Sequence, residues 1–317
     1  MAWTGSYPLA NDLECSIEGV ALRIAITGST GLVGTTLVRS LQSQGHTPIR
    51  LVRSKPQAGQ IAWDPEAGTI DSASMEGLDA VVHLAGENIA AGRWNDARKR
   101  RIAESRVKGT SLLARTLAKL NSPPAVWVSA SAIGYYGNRG NEILTEASAP
   151  GNGFLAEVCK DWEESTDAVK GTSIRLVNLR IGVVLSPEGG ALAKMLLPFK
   201  MGAGGIVGPG TQYFSWVELG DIVRAIEFAI ENPALSGPVN GTAPLPVTNR
   251  EFTKALGRAL HRPTIFPMPA FAARLAFGEM ADEMLLASTR VEPAKLQKAG
   301  FVFRYPNIDG ALKHLLG

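Results

Sequence analysis

The sequence predicts an α/β fold: a Rossmann-type, doubly wound parallel sheet followed by a smaller C-terminal substrate lobe. Three observations carry this. Residues 22–34 read as a short apolar strand, a glycine turn and the start of an amphipathic helix through Leu32, Val33, Leu37, Val38 and Leu41. From there to about residue 185, apolar strand patterns alternate with helical ones, the signature of a parallel sheet covered on both faces. Beyond Ile181 the rhythm breaks into a run dense in glycine and proline, from Pro187 to Gly210. With 317 residues, 45% of them hydrophobic, the chain can bury one large core and a lesser one.

The elements follow in order. Thr47–Val52 is the second strand and residues 60–63 a short third. Residues 79–84 form a continuous apolar strand running into Ala85-Gly86. A long helix spans roughly 95–120 and stops before Pro123-Pro124, after which 125–129 is a strand, 154–169 a helix and 173–179 a strand. In the irregular half, helices are expected at 218–231, 250–261, 270–277 and 293–299, and the apolar run Phe301-Val302-Phe303 leads into a last helix ending at Leu316. The domain reading is an extension over 1–21, disordered or loosely attached, a dinucleotide-binding domain over 22–185 to which later segments return, and a smaller lobe over 186–317. The first 20 residues contain Asp12, Glu14 and Glu18 and no Lys or Arg, which fits neither a secretory signal nor a transit peptide; the expected compartment is the cytoplasm.

Composition excludes several classes. A net charge of +3 gives no global attraction to nucleic acid. The basic run from Arg93 to Lys108 is broken by Asp96 and Glu104 and lacks a stacking platform, so it reads as a solvated helix face. No apolar run is long enough to enter and cross a bilayer. Two cysteines, Cys15 and Cys159, and four scattered histidines give neither a disulfide framework nor a metal-ligand spacing, so no metal is expected.

The chemistry is concentrated in the glycine turn Gly28-Ser29-Thr30-Gly31-Leu32-Val33-Gly34. Gly28 permits a tight turn off the strand, Gly31 lets a pyrophosphate approach the backbone, and Gly34 allows close helix–sheet packing, while the helix N-terminus offers free N–H groups and partial positive charge. An NAD-specific site places an acid at the end of the second strand to grip the ribose hydroxyls. Here that strand runs into Arg53-Ser54-Lys55, so Arg53 and Ser54 are expected to meet a 2′-phosphate and NADP(H) is the expected cofactor. Leu84, Ala85 and Gly86 end the neighbouring strand with side chains small enough for a ribose to lie close. His83, just before them, reads as a satisfied core residue.

Together with Ser129-Ala130-Ser131, these features resemble the extended short-chain dehydrogenase/reductase superfamily. The finer resemblance is to an atypical, epimerase-like subgroup, labelled YfcH-like or "cell division inhibitor SulA". It rests on Leu84–Ile89, Arg93-Trp94-Asn95, Ser131–Gly137, Asp161-Trp162-Glu163, Arg180–Leu185, Gly189-Gly190, Lys194–Phe199 and Phe214-Ser215-Trp216 before Asp221. The tail 293–301 resembles that subgroup's C-terminal domain of the DUF1731 type. In ordinary members of the superfamily a Tyr precedes a Lys by four residues on the helix after the serine strand. Counting back from Trp162-Glu163 puts Leu155 at the Tyr position and Cys159 at the Lys position; moving the register by one pairs Lys160 with Ala156. The Tyr–Lys pair is absent either way, and a thiol supplies no fixed positive charge.

The resemblance implies Ser131 as the superfamily serine and Arg106 in place of the usual helper Asn, with Arg101 one and a half helical turns earlier. It implies that the Val184 backbone meets the nicotinamide. Tyr135 and Tyr136, just beyond Ser131, read either as proton donors or as packing aromatics, and Cys159 as an inert thiol or a reactive one. Two functions are open. The first is an NADP-dependent oxidoreductase or nucleotide-sugar-epimerase-like enzyme, its small-molecule substrate near Ser131, Tyr135, Tyr136 and Trp216. The second is a non-catalytic NADP-sensing regulator acting on a protein partner, with cell or plastid division the process suggested by a label shared with a different, much smaller protein.

Overall fold

The computed structural model describes residues 21–317. The extension expected before the first strand lies outside them, apart from Ala21. In chain order the elements are β1 (Arg23–Thr27), α1 (Leu32–Ser43), β2 (Thr47–Val52), β3 (Gln60–Asp64), β4 (Thr69–Ile70), β5 (Ala80–His83), α2 (Asp96–Leu117), β6 (Val126–Ala132), β7 (Ile143–Leu144), α3 (Phe154–Glu164), β8 (Arg175–Ile181), β9 (Val183–Ser186), α4 (Gly190–Lys200), β10 (Tyr213–Phe214), β11 (Trp216–Glu218), α5 (Leu219–Glu231), β12 (Gly237–Gly241), β13 (Val247–Thr248), α6 (Asn249–Leu260), α7 (Ala270–Phe277), β14 (Arg290–Val291), α8 (Ala294–Lys298) and α9 (Ile308–Leu316).

The main sheet has the order β12-β8-β6-β5-β1-β2-β3-β4. Its pairs are parallel except for the antiparallel edge pair β3–β4. The chain winds outward from β1 through β2 and β3, then returns to β5 on the other side of β1. That reversal is the switch point where α/β sheets of this kind open a crevice at their carboxyl ends. Side chains alternate between the faces as strand geometry requires. Ile24, Ile26, Val82, Val126 and Val128 join α1 and α5 in one buried layer. Ala25, Val81 and Trp127 join Leu112, Leu113 and Leu117 of α2 in the other. Burial on both faces is why these strands read as apolar runs.

A third core lies in the C-terminal half, where Leu192 and Phe199 of α4, Phe252 and Leu256 of α6, and Ile308 and Leu312 of α9 surround Trp216. The later chain is divided between this lobe and the sheet. Ile222 and Ile226 of α5, Val239 of β12, Leu296 of α8 and Phe301 all pack in the first layer of the main domain.

Local chemistry moves several boundaries. Asn95 is not in the long helix but caps it, its side chain accepting from the Arg98 N–H at 2.9 Å. The helix expected over 154–169 ends at Glu164, with a separate short turn at Asp167–Val169. There the Ser165 hydroxyl takes the Asp161 carbonyl and the Thr166 hydroxyl takes the Glu163 carbonyl, closing the helix end locally. The glycine- and proline-rich stretch contains α4, which the pattern had not suggested; Pro198 sits near its C-terminal end. β12 was also unforeseen, because Gly-Pro-Val-Asn-Gly offers a single large apolar side chain. It is an edge strand, the place where a sheet tolerates proline. Among the described residues no helix is long and apolar enough to cross a membrane, and no group of three or more His, Cys, Asp or Glu could hold a metal.

Candidate cofactor cleft and active site

The glycine loop is fixed by its backbone. Gly28 has φ +65°, and a Cβ there would stand 2.7 Å from the Leu84 carbonyl carbon. A Cβ on Gly34 would stand 2.2 Å from the Gly28 oxygen. Gly31 is the N-cap of α1 and no side chain caps that helix. Its first-turn amides are thus left to an anion rather than to the protein, at the end of the helix where the dipole favours negative charge. Ser29 is buried, Thr30 and Gly31 are exposed, and Leu32 and Val33 are half-buried. Leu32 also packs against Gly189 and Gly190 at the start of α4. Gly190 lies in turn beside the Val184 carbonyl, so β9 and the lobe border the loop. Arg53 and Ser54 are exposed at the end of β2. They help line a cavity of about 310 Å³ with Ala62, Trp63 and Ile70.

A buried polar ladder holds the second wall. Thr27 Oγ1 accepts from the Leu84 and Ala85 N–H groups at 3.1 and 3.2 Å. Its one proton therefore goes to His83 Nδ1, 2.6 Å away. That leaves His83 Nε2 to donate to Thr110 Oγ1 at 3.0 Å, an oxygen that also accepts from Trp162 Nε1 at 2.9 Å. Burial first, and the Arg106 charge second, pull the His83 pKa down to about 3, so the ring is neutral. His83 thus ties β1, β5 and α2 together, through Thr110 to α3, as the core residue expected.

Arg106 donates to the Glu87 and Ile102 carbonyls, lies across Gly86 and sits 4.9 Å from the Trp162 ring. The structure therefore brings Arg106 to Leu84-Ala85-Gly86. Arg101 is not brought there: five residues earlier is about 140° around the helix, and its side chain is exposed.

The serine end of the sheet is wired differently from the expectation. Ser131, at the end of β6, donates its hydroxyl to Glu163 Oε1 at 2.7 Å. Arg180 of β8 clamps the same carboxylate with two bonds, Nε to Oε1 at 2.7 Å and Nη2 to Oε2 at 2.8 Å. A third donor, Arg180 Nη1, reaches the Tyr136 hydroxyl at 3.0 Å, and that hydroxyl donates to Asn240 Oδ1 at 2.7 Å. Burial lowers the Arg180 pKa, but the Glu163 pairing outweighs it and raises the group above its ordinary value. Tyr136 is fully buried, and burial pushes its pKa up to about 12. It is a structural tie rather than a proton donor open to a ligand. Tyr135 is half-buried with its ring centroid 3.5 Å from Arg180 Cζ.

The structure favours the inert reading of Cys159 and corrects the placement of Trp216. Cys159 is buried, and burial pushes its thiol up to about 12, which keeps it protonated and unsuited to nucleophilic work. Trp216 is fully buried in the lobe core and donates to the Leu245 carbonyl at 3.2 Å, so it does not line the cleft. Sequence reasoning used Glu163 only to set a register. Its position four residues after Cys159, on the face that would carry the Tyr and Lys, was the available signal.

The lobe is fastened over this side of the sheet. Lys194 of α4 donates to the Ala90 carbonyl at 2.6 Å. Glu279 pairs with Lys99 of α2 at 2.8 Å. Glu283 accepts from the Phe154 and Leu155 amides at 3.3 and 3.2 Å, capping the start of α3 from outside the helix.

The winding order, the switch-point glycine turn and the uncapped α1 define a Rossmann-fold protein of the dinucleotide-binding type. The chain belongs to the NAD dependent epimerase/dehydratase family, whose model matches residues 24–240; residues 268–315 match a domain of unknown function, DUF1731. It is 46% identical to "Epimerase family protein MT2273" of Mycobacterium tuberculosis, over 91% of this chain and 96% of that protein. It is 36% identical to human "Epimerase family protein SDR39U1", over 93% of this chain and all of that one. The crystal structure of human SDR39U1 (isoform 2) with NADPH superposes with a TM-score of 0.86 at 35% identity, covering 93% of this chain and 99% of the human one. A nucleoside-diphosphate sugar epimerase from Corynebacterium glutamicum gives 0.78 at 40% identity, covering 95% of this chain and 59% of that one.

Proposed function

We propose that this protein binds NADP(H) across the glycine loop and uses it in an oxidoreductase or epimerase-like reaction on a small molecule. The observation that carries the reading is the α1 N-terminus, free of any side-chain cap, beneath the glycine turn and next to a second strand that is followed by Arg53 rather than an acid. The NADPH bound to the human relative supports it.

In this reading the α1 amides hold the pyrophosphate and Arg53 with Ser54 holds the 2′-phosphate. Leu84, Ala85, Gly86 and Val184 border the ribose and nicotinamide, with Arg106 fixed across Gly86. When bound, the nicotinamide supplies or takes the hydride. Tyr135 is the one phenol of the Tyr135–Tyr136 pair open to hold or move a proton on a ligand. Removing a positioned proton donor typically costs about 10²–10⁴-fold in rate.

The test follows NADPH absorbance with a panel of carbonyl compounds. Oxidation that falls at least about 100-fold in Tyr135→Phe supports the enzyme. A second reading, an NADP-sensing regulator, is favoured by the engagement of Ser131 and Tyr136 within the protein. It predicts NADPH binding with no turnover on any member of the panel.

A further inference from the structure

We propose that Glu163, clamped by Arg180, is a positioning residue that fixes Ser131 as a hydrogen-bond acceptor. The group that a ligand presents to Ser131 is then a donor, such as an alcohol hydroxyl, and not a carbonyl oxygen. This rests on the reading of the cleft as a nucleotide-dependent site.

A serine hydroxyl has one proton and two lone pairs. The Ser131 proton is held by a carboxylate at 2.7 Å, a short charge-assisted bond. Ser131 is 3% exposed, and none of the hydrogen bonds among the described residues uses its Oγ as an acceptor, so a ligand group that reaches it meets lone pairs. Turning the hydroxyl to donate to a carbonyl would strip a donor from a nearly buried carboxylate. The carboxylate cannot follow the serine, because Arg180 grips both of its oxygens. Arg180 cannot shift either: its third nitrogen is bonded to Tyr136, and the Tyr135 ring covers its plane. Behind Tyr136, Asn240 is itself anchored, its amide nitrogen donating to the Glu292 carbonyl at 2.9 Å and its backbone N–H to Glu146 at 3.0 Å.

The origin of Glu163 strengthens the case. Leu155, Cys159 and Glu163 are spaced i, i+4 and i+8, along one face of α3. The helix face turned toward Ser131 therefore carries an acid, where a Tyr and a Lys would have supplied a proton and a positive charge. The rewiring reverses the hydrogen-bonding polarity of the serine.

The experiment uses the full chain loaded with NADPH, whose bound fluorescence also reports cofactor binding. A panel of alcohols and their methyl ethers, from propyl to benzyl, is titrated in. Neither partner of a pair is reduced by NADPH, and the two differ in having or lacking the O–H donor. For at least one pair the alcohol is expected to bind about tenfold more tightly than its ether. The difference should vanish in Ser131→Ala and shrink in the double variant Glu163→Met/Arg180→Met, which removes the ion pair while keeping side-chain volume and frees the Ser131 proton to donate to the ether oxygen as well. A preference caused by the bulk of the ether methyl would persist in both. Should the double variant fail to fold, Glu163→Gln takes its place: its amide N–H can donate to Ser131 and release the serine proton, so the preference is expected to shrink, and an unchanged preference overturns the role given to Glu163. Equal binding of alcohol and ether, binding of neither across the panel, or a preference that survives Ser131→Ala overturns the inference. Failure of NADPH itself to bind instead overturns the cofactor reading.

Discussion

The two walls of the cleft are built on different principles. At the glycine loop, the shape is set by backbone: three positions where a Cβ either clashes or crowds, and a helix start with nothing over it. At the serine end of β6, the shape is set by side chains from four separate segments, Ser131, Glu163, Arg180 and Tyr136, held by directed bonds. The first wall leaves no room for added side chains at Gly28 and Gly34. The second depends on which partners its side chains find, and here the carboxylate of Glu163 takes the Ser131 proton.

Ways to break that contrast can be ranked by size. Gly34→Val should have the largest effect because it removes cofactor binding as well as stability: its Cβ would overlap the Gly28 oxygen and neither backbone segment can yield. A stability loss of about 2–4 kcal/mol by denaturant unfolding is expected, together with loss of NADPH binding. Arg180→Ala leaves Glu163 charged, largely buried and unpaired, and should cost about 3–5 kcal/mol, whereas the neutral double variant Glu163→Met/Arg180→Met should cost far less. If both lose the same stability, the serine wall is held by packing and not by its charge pair. Arg53→Ala should weaken NADPH binding about 10–100-fold while leaving NADH unchanged, read by competitive titration.

The last effect is absent at neutral pH and emerges only in acid. The folded-state pKa of His83 lies near 3, below its unfolded value of about 6.5. Between those values the unfolded chain binds the extra proton, so stability is full above pH 6.5 and falls as pH drops toward 3. The His83 contribution to that slope is at most about 1.4 kcal/mol per pH unit. Replacing His83 with Gln should flatten the slope in that window, measured as urea midpoints at several pH values.

What was legible in the sequence follows the same division. The strand–turn–helix unit, the alternation through β8 and the missing acid after β2 are local patterns, and each appears in the structure near its expected position. Arg106 was expected only through the family resemblance, and Arg101 was expected beside it; the helix turn that separates them shows in the structure. Ser131's partner was not legible, because Glu163 and Arg180 meet across elements that are 17 residues apart in sequence and joined only by the fold. Tyr135 and Tyr136 are adjacent, yet one is half-buried and the other fully enclosed; tertiary contacts of the Tyr136 hydroxyl with Thr145, Arg180 and Asn240, the last 104 residues on, separate them. Trp216 carried a similar ambiguity, and the lobe core decided it. β12 was hidden because glycine and proline dominate its composition, and α4 because glycines and prolines crowd the segments around it; each is held by tertiary packing or edge pairing.

Isothermal titration of NADPH and of NADH into the wild-type protein decides whether the glycine loop and Arg53 hold NADP(H). A saturable one-site heat is expected for NADPH, with clearly weaker binding of NADH. The absence of heat with either nucleotide, or a preference for NADH, would contradict this expectation.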